Sequence, residues 1–400
     1  MIVIDASPAV HHKAGLGRYA EDLIGELKAQ QVPLTVFYHD AARAKPTPLI
    51  KSLPQWATPQ SPYTWRLRAL MAQIANLSQD ELLSGDDRRR MTDDEDVPLS
   101  SAVRRPSSLL FHATEHLLPR FKQAKTVFTL HDLIFKFYPR YHLPRNWIYL
   151  QLAMPLFLRR ADAVICVSEH TRRDAQKIYG VPDAKLRVIT EGIHARFKPV
   201  TDITVLQRAR ERYNLPEQYV LALGTIEPRK NLMTLFEAFK ALLADGKHAD
   251  LSVVVGGKQG WLFEETFRAV HERGLTGRVK FIGYVADEDL PAVYTLSRAL
   301  AFPSVYEGFG LPPLEAMACG VPVLCSNASS MPELVGKAAV LLPPTDADAW
   351  AGALQRVLTD RVLGLDLRSR GPKQARQYTW ARAALQTREV YESLGARTNV

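Results

Sequence analysis

The chain has 400 residues, enough for two or three domains that each bury a core. Its 46% hydrophobic and 23% charged content is that of a soluble globular protein and excludes a fibrous or disordered chain. A formal charge of +9 attracts polyanions; phosphorylated substrates and anionic lipid fit, whereas nucleic acid is disfavoured because neither zinc-finger spacing nor an aromatic-basic RNA-binding signature occurs.

Met1 to Asp5 reads as a first strand, too short and unflanked by basic residues to be a secretory leader. The loop Ser7 to Gly17 leads into a helix from near Arg18 to about Gln30, followed by a strand over Val32 to Tyr38. Leu67, Leu70, Met71, Ile74 and Leu77 share one helical face, for which core packing is favoured over resting on anionic lipid. Residues 78–107 are densely charged and read as a mobile loop or a short exposed hairpin of helices. The run Trp147 to Leu158 is interrupted by Gln151 and Pro155 and cannot span a bilayer. Cys166, Cys319 and Cys325 are odd in number and lack metal spacing, so they read as buried thiols of a cytoplasmic protein.

Apolar strands then alternate with helical segments at 126–130, 163–167 and 186–189, and again at 219–223, 251–255, 279–282, 299–302, 321–324 and 339–342. Two such series predict an α/β protein of two doubly wound, Rossmann-like domains, 1–195 and 196–378, meeting in the polar stretch Gly192 to Val200.

The most informative segment is SVYEGFGLPPLEAMACGVPVLCS, in which Glu307 and Glu315 stand eight residues apart. A strand entering a Gly-Phe-Gly turn and then a helix leaves backbone N–H groups free for phosphate. The flanking carboxylates can accept hydrogen bonds from hydroxyls on two parts of one ligand, which describes a sugar nucleotide. In GTIEPRKN, Arg229 and Lys230 bring fixed positive charge to the carboxyl end of another strand, where ligands of open α/β sheets bind. Cations in a first helical turn oppose the helix dipole, which favours an anion site over surface decoration. His131 and Asp132 end a first-domain strand, and Gly15-Leu16-Gly17-Arg18 offers a glycine approach and a helix N-terminus.

These motifs together resemble the retaining glycosyltransferases of family 4 (group 1), which have the GT-B fold, and GTIEPRKN is most like a bacterial branch with mannosyltransferases of surface-polysaccharide assembly. The resemblance implies two domains facing a cleft, with the acceptor in the first, the donor in the second, and a C-terminal helix, 379–400, returning to the first. It implies that Glu315 binds ribose, that Glu307 binds the transferred sugar, and that Gly308, Phe309, Gly310 and Leu311 offer backbone N–H groups. Lys230 would neutralise the diphosphate, with Arg229 replacing the arginine that many members carry where this chain has Thr225. His131 would face the reacting carbon, Gly15 and Gly17 the diphosphate, Gly256 the donor, and the Gly283-Tyr284 segment the base, whose identity the backbone contacts leave open.

The implied reaction transfers a hexose, mannose first, from GDP-mannose or else UDP-glucose to a glycan or lipid-linked acceptor, with retention, no cofactor and no metal. Peripheral contact with the inner membrane face stays open. Asp94/Asp96, Asp287/Asp289 and Asp346/Asp348 have metal-like spacing but read as loop or helix-start acids. A GT-B sugar-nucleotide epimerase and a non-catalytic nucleotide-sugar binder are the alternatives.

Overall fold

The computed structural model describes residues 1–80, 109–244 and 246–398. The charged stretch beyond residue 80, with Asp94 and Asp96, lies outside them. The chain forms two compact units.

The first unit takes Met1–Leu133, Arg145–Gly192 and the chain from Trp380 onward. Its sheet has seven parallel strands: β1 (Ile2–Asp5), β2 (Leu34–Tyr38), β3 (Gln55–Ala57), β4 (Leu109–Ala113), β5 (Ala124–Leu130), β6 (Ala163–Cys166) and β7 (Leu186–Val188), in the order β3-β2-β1-β4-β5-β6-β7. IVID and LTVFY are buried at every position, because helices cover both faces of a parallel sheet and leave no polar side to alternate with. Strand order reverses at β1, between β2 and β4, the position where doubly wound sheets bind ligands outside their carboxyl ends.

The helix Ala14–Ala29 starts four residues before the predicted Arg18, and a short helix Ser7–Val10 occupies the predicted loop. Gly15 and Gly17 therefore lie inside the first helical turns. A Cβ on Gly17 would meet the Pro8 carbonyl oxygen at 2.8 Å, so this glycine is what lets the two helices touch. The helix Trp380–Ser393 packs on Ala14–Ala29: the Trp380 and Tyr19 rings are 5.7 Å apart, and Tyr391 Oη bonds His112 Nδ1 at 2.6 Å.

The helix Pro62–Ala75 departs from the sequence expectation. It buries Trp65, Ala69, Leu70, Ala72 and Gln73. Of the predicted core stripe only Leu70 is inside; Leu67, Met71, Ile74 and Leu77 are 61%, 52%, 58% and 61% exposed. Small alanines let this helix lie close to its neighbours, and Gln73 is satisfied by donating to Leu118 O at 2.9 Å. The larger aliphatic residues are left on the outer side.

The second unit takes Ile193–Thr379 together with Ile134–Pro144, a segment that the sequence assigns to the first domain. Ile134 packs with Val305 and Tyr306, Phe137 stacks on Tyr306 at 5.4 Å, and Trp261 Nε1 donates to Tyr141 O. Its six parallel strands, β8 (Gln218–Leu223), β9 (Leu251–Gly256), β10 (Val279–Gly283), β11 (Ala299–Phe302), β12 (Val323–Ser326) and β13 (Val340–Leu342), run in the order β10-β9-β8-β11-β12-β13. Strand order reverses here at β8, so the loops after β8 and β11 share the sheet's switch point. Phe236, Phe239 and Trp350 anchor the core beneath them. Among the described residues, no helix is long and apolar enough to cross a membrane.

Candidate active site

The loop after β8 opens with Gly224 at φ +143° and passes into a 3₁₀ turn, Pro228–Lys230. Asn231, left-handed at φ +52°, separates that turn from the helix Leu232–Leu243. Arg229 and Lys230 thus stand before the helix and not in its first turn as expected, because Pro228 and Asn231 reset the backbone direction. Lys230 runs beneath Gly224, where a Cβ would lie 3.0 Å from its Cε, and its Nζ is 4.9 Å from the centre of the Phe302 ring.

Both cations turn onto Glu307, in the loop after β11. Lys230 Nζ donates to Oε1 at 2.6 Å, and Arg229 Nη1 donates to Oε2. Arg229 Nε and Nη2 also reach Glu227 Oε1 at 2.9 and 2.6 Å. Glu307 and Glu227 are 6% and 3% exposed and each is paired with a half-buried cation, the arrangement in which buried charge is tolerated. Burial pushes the Glu307 carboxyl upward, but Arg229 and Lys230 outweigh it and hold it below the usual carboxylate range. Burial, then Arg229, lowers Lys230 despite Glu307. The gap beside Lys230, lined by Gly224, Thr225, Phe302 and Ser304, measures about 10 Å³, room for one water.

The Glu307–Gly310 loop is fixed from below. Glu307 N donates to Ser329 Oγ at 2.8 Å, and Ser330 Oγ bonds the carbonyls of Glu307 and Phe309 at 3.0 and 2.5 Å. Gly310 has φ +125° and meets Met331 so closely that a Cβ would lie 2.3 Å from its Cε. Leu311 opens the helix Leu311–Ala318, but Pro312 and Pro313 carry no N–H, so this helix start offers fewer donors than a generic one. The Phe309 side chain is a core anchor, 4% exposed and 5.8 Å from the Tyr378 ring. Glu315 lies on the same helix at 1% exposure, and its Oε2 accepts from Tyr294 Oη at 2.8 Å.

Of the predicted donor residues, Arg229, Lys230 and Glu307 come together by direct bonds, and Gly308 to Leu311 continue that loop. Glu315 is tied instead to Tyr294. Gly256 is explained by packing, since a Cβ there would meet Leu223 Cδ1 at 2.8 Å. Tyr284 is 58% exposed with Lys258 Nζ 4.9 Å from its ring centre, beside Gly283 at φ +69°.

In the first unit, His131 Nε2 donates to Thr114 O at 2.9 Å, and Nδ1 faces Glu191 at 3.7 Å. A carbonyl only accepts, so the Nε2 proton is engaged and only Nδ1 is left for other donors or acceptors. Gly15 is exposed with open space around it, in contrast to Gly17. Ser168 caps its helix, accepting from Thr171 N at 3.1 Å. Asp346 likewise caps Ala347–Thr359, and Asp289 pairs with Arg212 and Tyr213. Among the described residues, no group of three His, Cys, Asp or Glu side chains could hold a metal ion.

Sequence reasoning missed Glu227, Tyr294, Ser329 and Ser330. Glu227 was legible, being two residues before Arg229 at a strand end; the other three act from distant segments and leave no local pattern.

Comparison with known proteins gives two family matches: "Glycosyl transferases group 1" over residues 206–378 and "Glycosyltransferase Family 4" over residues 103–197. The chain is 29% identical over 398 residues to the O-antigen chain mannosyltransferase B of Escherichia coli, covering 98% of this chain and 100% of that one. It is 31% identical over 264 residues to the serotype-specific mannosyltransferase WbdA of Escherichia coli, covering 65% of this chain but only 32% of that longer protein. The sucrose-phosphate synthase structure from Thermosynechococcus elongatus superposes with a TM-score of 0.74 at 22% identity, covering 98% of both chains. The two doubly wound sheets and the two family matches agree: the chain belongs to the group 1, family 4 glycosyltransferases and has the GT-B fold.

Proposed function

We propose that the protein transfers mannose from GDP-mannose to a glycan or lipid-linked acceptor, with retention of anomeric configuration and without a catalytic metal. The observation that carries this reading is the convergence of Lys230 and Arg229 on Glu307. The full-length likeness to an O-antigen mannosyltransferase supports the choice of mannose.

In this reading the donor's C1–O bond to the diphosphate breaks while the acceptor oxygen bonds C1 on the same face. The acceptor proton passes to the leaving phosphate oxygen. Lys230 and Arg229 stabilise the charge growing on that phosphate, Glu307 receives a hydroxyl of the transferred sugar, and Glu315 receives the ribose hydroxyls. Gly15 serves the diphosphate, Tyr284 the base, and the backbone from Gly308 to Leu311 the sugar and phosphate, while Gly17 and Gly256 hold the packing behind them. His131 steadies the oxocarbenium-like carbon.

A melting-temperature panel of GDP- and UDP-sugars tests the donor, because a ligand bound by the native state raises the melting point by mass action. GDP-mannose should give the largest rise; a rise with UDP-glucose alone would replace mannose by glucose. Proton NMR of donor without acceptor separates transfer from the epimerase alternative, and absence of turnover with every acceptor would leave a nucleotide-sugar binder.

The outer face of Pro62–Ala75 supports a second element, peripheral contact with anionic lipid at the cytoplasmic membrane face. Tyr63, Leu67, Met71 and Ile74 are exposed there, with Ile148 and Leu152 on the helix Pro144–Arg160, and Arg145 lies 4.3 Å from the Tyr63 ring. An apolar face with basic residues matches such a surface. Co-sedimentation with phosphatidylglycerol vesicles should be lost in Leu67→Glu/Ile74→Glu; equal binding of both proteins would refute the contact.

A further inference from the structure

The backbone around Lys230 is fixed on both sides to the loop that carries Glu307. On one side Arg229 O accepts from Val305 N at 3.0 Å. On the other, the Asn231 side chain donates through Nδ2 to Pro303 O at 3.1 Å and to Pro344 O at 2.6 Å. Pro303 and Val305 stand four and two positions before Glu307. Pro344, in the loop after β13, belongs to a segment that is itself held, because Trp350 Nε1 donates to Pro343 O at 2.9 Å. Asn231 thus ties the loops after β8, β11 and β13 together at one point.

Two requirements dictate this residue type. The backbone is left-handed at φ +52°, a conformation that glycine and asparagine adopt readily. Two carbonyls also converge on the side chain, and carbonyls only accept, so the amide NH2 must face them and give one proton to each. Oδ1 is then left to accept from Thr234 Oγ1 at 3.1 Å, which completes the amide. Glycine meets the first requirement and not the second. Aspartate tolerates the backbone but has no proton to give. Asparagine meets both.

The consequence falls on the ammonium. Lysine carries its charge on a flexible four-carbon stem, so Lys230 Nζ is placed only as well as the backbone beneath it. Nζ and Glu307 Oε1 meet at 2.6 Å across the two loops that the Asn231 and Arg229–Val305 bonds bracket. Loss of the Nδ2 bonds would free one bracket and leave two carbonyls without that donor.

We propose that Asn231 is a positioning residue: its amide sets the register of the β8 loop against the β11 loop, and through it the placement of Lys230 against Glu307 and the donor phosphate. The part that concerns the phosphate deepens the transferase reading and rests on it; the placement against Glu307 does not.

Two measurements on the full chain test this. Urea melts of Lys230→Ala, Glu307→Gln and the double variant give the coupling of the ion pair, and the same cycle is repeated with Asn231→Gly, which keeps the left-handed turn and removes the amide. The coupling, as a factor in the folding equilibrium constant, should fall at least about threefold. An unchanged factor overturns the proposal even if Asn231→Gly is less stable, since a merely structural loss adds without coupling. In transfer from GDP-mannose, Asn231→Gly should lower kcat about ten- to hundredfold, the effect of a misplaced catalytic group, with a much smaller change in GDP affinity. Added to Lys230→Ala it should lower kcat little further, because the group it places is gone; the same loss in both backgrounds overturns the proposal. Asn231→Asp keeps the turn and the Thr234 contact and loses only the donor protons, so it decides the matter by the same losses where Asn231→Gly fails to fold. Absence of transfer by wild type overturns the transferase reading instead, and the ion-pair cycle still decides the role of Asn231.

Discussion

Lys230 Nζ stands 2.6 Å from Glu307 Oε1, held between the Gly224 backbone and the Phe302 ring. An ammonium about 4 Å from a departing phosphate contributes roughly 4 kcal/mol at an effective dielectric near 20. Lys230→Ala should therefore lower kcat about a thousandfold, with a much smaller change in donor affinity. Steady-state kinetics with a separate donor titration check this. A loss confined to affinity would make Lys230 a binding residue only.

Gly15 and Gly17 separate packing from ligand approach. Gly17→Ala drives a Cβ to 2.8 Å from Pro8 O and should cost about 1–3 kcal/mol of stability. Gly15→Ala enters open space and should leave stability unchanged or raise it by up to about 1 kcal/mol through helix propensity. Urea melts measure both. If Gly15 approaches the diphosphate, its alanine variant weakens GDP binding despite sound folding.

Tyr294→Phe removes the hydroxyl that Glu315 accepts at 2.8 Å. Loss of a hydrogen bond to a buried charge should cost about 1.5–3 kcal/mol. Calorimetric titration of GDP should show weaker binding as well, because the carboxylate is no longer held in place. A stability loss with unchanged GDP affinity would make Glu315 part of the core alone.

Burial, and then the Glu115 charge, raise the Asp5 carboxyl from its ordinary 3.8 to about 6. A raised folded-state value contributes stability that is complete below about pH 3.8 and lost as pH rises through about 6. Asn stays neutral and can still accept from Ser7 N, which Asp5 Oδ1 does at 2.9 Å. Asp5→Asn should thus be more stable than wild type at pH 7.5, by at most about 3 kcal/mol, with the difference shrinking toward pH 4. A gap that widens on acidification would refute this assignment.

The sheets were legible because parallel strands covered on both faces read as unbroken apolar runs, and β8 to β13 stand where those runs lie. Arg229, Lys230 and Glu307 were legible because strand ends and glycine turns have local signatures. Three features were not. The outer face of Pro62–Ala75 imitates a core stripe, since periodicity records which residues share a side and not which side is inward. The segment Ile134–Pro144 joins the second unit through rings and carbonyls distant in sequence. The contacts of Glu115 with Lys13 and His39 were missed because the three residues come from separate segments, each too short to form a motif.

The account is tested most directly by proton and carbon NMR of the product formed from GDP-mannose and a synthetic mannose-terminated lipid acceptor. It predicts a new α-mannosidic linkage, with Lys230→Ala almost abolishing its formation while still binding GDP. A β-linked product, or undiminished formation by Lys230→Ala, would contradict it.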